Sequence, residues 1–85
     1  MIINLKGNEG TLNGAGTGNT FFNAVCIKLN VTTNAVIDIY NSADTLVGNT
    51  TLLATNTYFV EKAHDDKIKL VSGVAPATPV AFTIG

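Results

Sequence analysis

The stretch Val25-Cys26-Ile27-Lys28-Leu29-Asn30-Val31 decides the fold class. Its odd positions are all aliphatic. Its even positions are a thiol, a lysine and an asparagine. On a helix these aliphatic side chains would scatter around the axis. On a strand they line one face, so a period of two reads as a half-buried β-strand. We extend this strand from Thr20 to Val31, with Ala24, Cys26, Lys28 and Asn30 on the opposite face.

The same period recurs on both sides. Ala35 to Tyr40 places Ala35, Ile37 and Ile39 inward and Asp38 and Tyr40 outward, after a turn at Thr32-Thr33-Asn34. Asn41-Ser42-Ala43-Asp44 is a hairpin-type turn. Thr45–Val47 and Thr50–Ala54 flank Gly48-Asn49, and they read as two short strands or as one strand with a bulge. Thr55-Asn56 turns the chain into Thr57–Lys62, where Phe59 and Glu61 oppose Tyr58 and Val60. Ala63–Asp66 is a polar loop. Lys67 to Val71 alternates again, with Ile68 and Leu70 inward. Ser72-Gly73 is a turn, Pro76 and Pro79 bracket an extended linker, and Val80, Phe82 and Ile84 alternate in a last strand. Ile2 to Lys6 is the first.

Composition agrees. Valine, isoleucine and threonine make up 27 of the 85 residues, and asparagine adds ten. The first group suits a pleated surface, and asparagine suits turns. No window carries three turns of helical periodicity. The expected fold is therefore all-β, a small antiparallel sandwich or barrel of six to eight short strands in a single domain, 1–85. Gly7 to Asn19 holds five glycines and reads as a flexible arm or loop. The expected core is Val25, Ile27, Leu29, Ile37, Ile39, Leu52, Val60, Ile68, Leu70, Val80 and Phe82.

The chain has 46% hydrophobic and 13% charged residues, with a net charge of -1 and no arginine. Five lysines against six acids leave no basic face for nucleic acid. No apolar run is long enough to cross a bilayer as a helix. Met1–Leu5 is too short for a secretory signal, which gives the expectation of a cytoplasmic product. A chain of this mass buries about 63% of its unfolded surface, so the core is thin and partner surfaces gain weight.

Residues with chemical potential give little. Cys26 has no second cysteine, and one cysteine with His64 falls short of a four-ligand zinc site. His64-Asp65-Asp66 has ligand chemistry, yet three consecutive residues rarely converge on one ion, and a solvated turn is the better reading. Cys26 as a nucleophile would need a neighbouring base. Gly14-Ala15-Gly16-Thr17-Gly18 lacks the lysine and the following helix of a phosphate-binding loop. Asn30-Val31-Thr32 and Asn49-Thr50-Thr51 match the glycosylation acceptor pattern by chance in so Asn- and Thr-rich a chain. These readings predict no enzyme, no metal and no cofactor. Aromatics remain as contact residues.

Three segments carry a resemblance. Ala35-Val36-Ile37-Asp38-Ile39-Tyr40-Asn41-Ser42-Ala43-Asp44 resembles a strand and turn of small structural proteins of tailed bacteriophages. Tyr58-Phe59-Val60-Glu61-Lys62-Ala63-His64-Asp65-Asp66-Lys67-Ile68 resembles their aromatic–Glu–Lys segment. Thr78-Pro79-Val80-Ala81-Phe82 resembles their last strand. The likeness spans half to two-thirds of the chain and leaves out the Gly-rich arm. It implies a β-rich virion component without catalytic residues. A capsid decoration or cement protein that binds the major capsid protein, as a homo-oligomer on the capsid surface, fits this size best. The expected contacts are Ile2, Ile3, Leu5, Leu12, Phe21, Phe22 and Tyr58. Other expectations are a tail, neck or fibre-attachment component, or a glycan-binding module using Asp38, Tyr40, Asn41 and Asp44.

Overall fold

The structure, a computed structural model, describes residues 2–83, without the side chains of Ile2, Phe82 and Thr83. The expected last-strand residue Ile84 and core residue Phe82 therefore fall outside the described side chains. Seven strands follow in order: β1 (Ile2–Leu5), β2 (Cys26–Val31), β3 (Thr33–Tyr40), β4 (Leu46–Leu52), β5 (Asn56–Glu61), β6 (Lys67–Val74) and β7 (Ala77–Thr83). No helix occurs among the described residues. The strands form two antiparallel sheets, β1-β7-β2-β5 and β4-β3-β6, and the fold is a small all-β sandwich.

Alternation builds the core as the sequence predicts. Ile27 and Leu29 are fully buried, and cross-strand pairing sets them beside Val60, Tyr58, Pro79 and Ala77. From the other sheet Ala35, Ile37, Leu52 and Ile68 enter the same cluster, with Ile39 and Leu70 packed against it. Cross-strand partners share a face, so Lys28, Phe59 and Thr78 lie together on the outer side of the four-stranded sheet. The accessible surface of 4811 Å² equals the roughly 4800 Å² that mass scaling gives for a compact monomer of this size.

Several local expectations are corrected. The strand predicted from Thr20 starts only at Cys26. Phe21, Phe22 and Asn23 have φ of 51°, 63° and 53°, a full left-handed turn that no strand can contain. Val25 consequently lies beyond the paired region and is 52% exposed rather than in the core. Ser72-Gly73 is no turn. β6 runs on to Val74, with irregular register against β3 that lays Gly73 on the backbone of Asn34 and Ala35. The Pro76–Pro79 linker is mostly strand. Pro79 sits inside β7, fully buried. Lys6 N–H donates to the Pro79 carbonyl at 2.8 Å, but proline has no N–H to return. The β1–β7 ladder stops there.

Gly48 does lie within one bulged strand. Ile39 pairs with Gly48 and Tyr40 with Leu46, leaving Val47 as the extra residue. The core also gains residues without a periodic signature: Leu12, Phe21, Ala24, Ala75 and Ala77.

The Gly-rich segment runs along two strands. Gly10 and Ala77 exchange backbone hydrogen bonds, both 2.8 Å. Asn19 pairs with Ile68, and Leu70 N–H donates to the Asn13 carbonyl at 3.2 Å. Gly18, at φ 79°, passes so close to β6 that a β-carbon would lie 2.7 Å from the Ile68 carbonyl carbon. Only glycine fits this approach.

Candidate partner-binding surface

The left-handed turn is the least expected local feature, and its sequence explains how it is held. The Asn19 side-chain oxygen accepts from Phe21 N–H at 3.0 Å, and the Thr20 hydroxyl accepts from Asn23 N–H at 3.3 Å. Ala24 N–H closes the turn on the Phe21 carbonyl at 3.3 Å. Left-handed backbone costs an L-residue about 1–2 kcal/mol, so three in succession need outside support.

Two side chains supply it. Phe21 is 6% exposed and anchors the turn in the core. Lys62, only 7% exposed, extends its ammonium to the Ala24 carbonyl at 2.7 Å and the Ala63 carbonyl at 3.2 Å. Its own N–H donates to the Val25 carbonyl at 2.9 Å. The end of β5 is thereby fastened to the exit of the turn. Burial lowers the Lys62 pKa, and the Asp66 and Asp65 carboxylates oppose the drop.

The turn presents Phe22 to solvent, 65% exposed, its ring edge-on to Phe21 with centroids 5.2 Å apart. The Phe22 ring also lies near Gly7, where a β-carbon would be 3.7 Å from it. Gly7 comes two residues after Leu5, which is 70% exposed, and Ile3 is exposed as well. Beside Phe22 is an open depression of about 440 Å³ lined by Asn8–Thr11 and Asn19–Phe22. The end of β1 and the left-handed turn therefore share one region of surface.

Of the expected contact residues, Phe22 lines this depression, and Leu5 and Ile3 are exposed on β1, which leads to Gly7. Leu12 and Phe21 are corrected: at 3% and 6% exposure both belong to the core and have no surface to offer. Tyr58 is half-buried against the core on β5, and its hydroxyl accepts from Leu53 N–H at 3.1 Å. It braces the β4–β5 turn. The side chain of Ile2 lies outside the described residues.

The other candidate residues are occupied locally. The Tyr40 hydroxyl donates to Asp38 at 3.3 Å. Burial, then the Asp38 charge and this bond, raise the Tyr40 pKa. Asn41 Oδ1 accepts from Ala43 and Thr45 N–H, each 3.0 Å, within its own turn. Asp44 forms an ion pair with Lys67 and accepts from the Thr17 hydroxyl at 3.2 Å, which ties the Gly-rich segment to the β3–β4 turn. Those two hydrogen bonds and the Lys67 charge lower the Asp44 pKa.

His64 and Asp65 are exposed in the β5–β6 loop. Asp66 N–H donates to the Ala63 carbonyl at 3.0 Å, and the Asp66 carboxylate accepts from Ala63 N–H at 3.4 Å. No group of three His, Cys, Asp or Glu residues able to hold a metal occurs among the described residues. Cys26 lies opposite Glu61 in the β2–β5 ladder. Burial and then the Glu61 charge raise its pKa, the reverse of what activates a thiol. No helix among the described residues is long and apolar enough to cross a membrane.

Comparison with protein-family models, curated proteins and solved structures returns no match to this chain.

Proposed function

We propose that the chain is a non-enzymatic structural protein of a tailed-phage virion. In this reading it is a capsid decoration or cement protein, made in the host cytoplasm. It binds the surface of the major capsid protein and stabilises the shell. The resemblance of residues 35–44, 58–68 and 78–82 to small phage structural proteins motivates the proposal.

The structural observation that supports it is Phe22, exposed beside a depression and carried on a strained turn. Leu5, also exposed, lies two residues before Gly7, which the Phe22 ring approaches. Strained backbone persists only where surrounding contacts over-determine it, and it concentrates at sites that do something. An exposed aromatic beside an open depression is suited to seat in a pocket of a partner, where aromatics dominate binding. A small sandwich bound this way gains stability by mass action.

Quantitative mass spectrometry of purified particles tests the proposal. The chain is expected in a fixed ratio to the major capsid protein. Its absence from particles would refute a virion role. Presence in a few copies, with label on the tail or neck in electron micrographs, would move it to another virion station. Asp38, Tyr40 and Asp44 are engaged with one another or with Lys67 and Thr17, so a glycan array is expected to be blank.

A further inference from the structure

The two sheets have four edges, and three of them are blunted. β6 carries Lys67 and Lys69 and is covered by backbone bonds from Asn13 and Asn19. β5 ends on the exposed charge of Glu61. β1 is only four residues long, and its ladder with β7 ends at Pro79, which has no N–H. The fourth edge, β4, reads Leu46-Val47-Gly48-Asn49-Thr50-Thr51-Leu52, without a charge or a proline. All of it except Leu52 is exposed. One side of β4 pairs with β3, and among the described residues no strand pairs with the other. Natural sheets protect bare edges with charges, proline or a cover, because unpaired backbone groups template pairing with another chain.

A second feature lies at the same place. Ile37 and Ile39 of β3, Gly48–Thr50 of β4 and Val60 of β5 line an open, largely apolar cleft of about 200 Å³. β4 and β5 are edge strands of opposite sheets, so the cleft opens on that flank of the sandwich. Gly48 contributes no side chain to close it. A strand added along β4 would extend the three-stranded sheet across the mouth of the cleft. Backbone pairing with alternate side chains entering a cleft is the usual form of recognition by strand addition.

We propose that the occupant is β4 of a second copy of this chain, paired antiparallel about a two-fold axis. The uncharged sequence carries this choice, since self-pairing sets each residue against another from the same stretch. Beyond the bulge at Val47, an axis at Thr50 opposes Thr50 with Thr50 of the second copy, Asn49 with Thr51, and Gly48 with Leu52. No like charges meet, whereas self-pairing of β6 would bring lysines near lysines. Thr50 pairs with inward-facing Ile37, so Thr50 of the second copy is directed toward the cleft. The proposal does not rest on the virion reading, because it concerns the isolated chain.

Sedimentation equilibrium of the purified chain across micromolar concentrations tests it. The wild type is expected to be dimeric, and Thr50→Lys, which apposes two lysines at the axis, to weaken the dimer at least tenfold. Thr50→Val is expected to retain it. In a Cys26→Ser background, Thr50→Cys is expected to form an intermolecular disulfide on mild oxidation, because opposed strand residues lie within disulfide reach. Thr57→Cys on β5 is the control and is expected to stay reduced. A monomeric wild type, or a dimer indifferent to Thr50→Lys together with no Thr50→Cys cross-link, overturns the proposal. Particle binding is read separately and stands or falls alone.

Discussion

Gly73→Ala probes the fold where sequence and structure diverge most. Gly73 sits inside β6 at φ 87°, and a β-carbon there would lie 2.7 Å from Ala35 Cα and closer still to the Asn34 carbonyl oxygen. The left-handed backbone costs alanine about 1–2 kcal/mol. The clash is with backbone, which yields little, and forced repacking adds about 1–3 kcal/mol. The smaller entropy of an unfolded alanine returns about 0.4–1 kcal/mol. The net loss is on the order of 2–4 kcal/mol, against a total stability of about 4–13 kcal/mol for a domain of this length. The corresponding fall in Tm is on the order of 10–30 °C. Urea unfolding followed by circular dichroism measures it, with an unchanged m-value expected for two-state loss. Gly10→Ala is the control, because a β-carbon there meets nothing within 4 Å and φ is not positive. It should leave stability unchanged or raise it by up to about 1 kcal/mol. Equal, small effects of the two substitutions would refute the packing of β6 on β3 described above.

Further expectations follow from particular contacts. Ile27→Ala, at a fully buried position shared by both neighbours of β2, should cost about 2–5 kcal/mol in the same assay. Lys62 has a folded pKa below its ordinary 10.5, so the unfolded chain binds its proton more tightly. Its contribution to stability must therefore rise as pH climbs through the folded value toward 10.5. Unfolding of wild type and Lys62→Met between neutral and alkaline pH should diverge in favour of wild type, and carbon NMR should show Lys62 titrating below 10.5. Asp44 has the opposite sign: its folded pKa lies below the ordinary 3.8. The stability difference between wild type and Asp44→Asn should be present above 3.8, vanish as pH falls through the folded value, and shrink in salt.

Much of the fold was legible because burial imposes a period of two. Ile27 and Leu29, then Ala35 and Ile37, announce their strands, and the structure pairs and buries them. The register around Tyr58 to Glu61 was open in sequence. It is fixed by pairing with Leu29 and Ile27, which turns Tyr58 and Val60 inward. The failures have physical causes. Phe21 and Phe22 look like strand residues, but Asn19 and Thr20 offer side-chain oxygens that hold a turn instead. That Asn-Thr pair was the available signal. Pro79 reads as a breaker, yet its missing donor falls where the neighbouring ladder ends. Leu12 is a lone apolar residue among glycines, and no periodicity could assign it to the core. Lys62 reads as a surface charge, because only the folded chain brings the Ala24 carbonyl within 2.7 Å of its amine. Of the expected contact residues, Leu5 and Phe22 are exposed, whereas Leu12 and Phe21 are claimed by the interior for the same apolar character.

The central claim is that an exposed apolar end of a small sandwich binds a virion surface. Particles lacking the chain can be mixed with purified wild type, Phe22→Ser or the Leu5→Ser, Phe22→Ser double variant, and the bound fraction measured by co-sedimentation. Both side chains are largely exposed, so circular dichroism should show the variants folded. The account predicts saturable binding of wild type and a loss of at least tenfold in affinity for the double variant. Folded variants that bind as well as wild type, or a wild type that never sediments with particles, would contradict it.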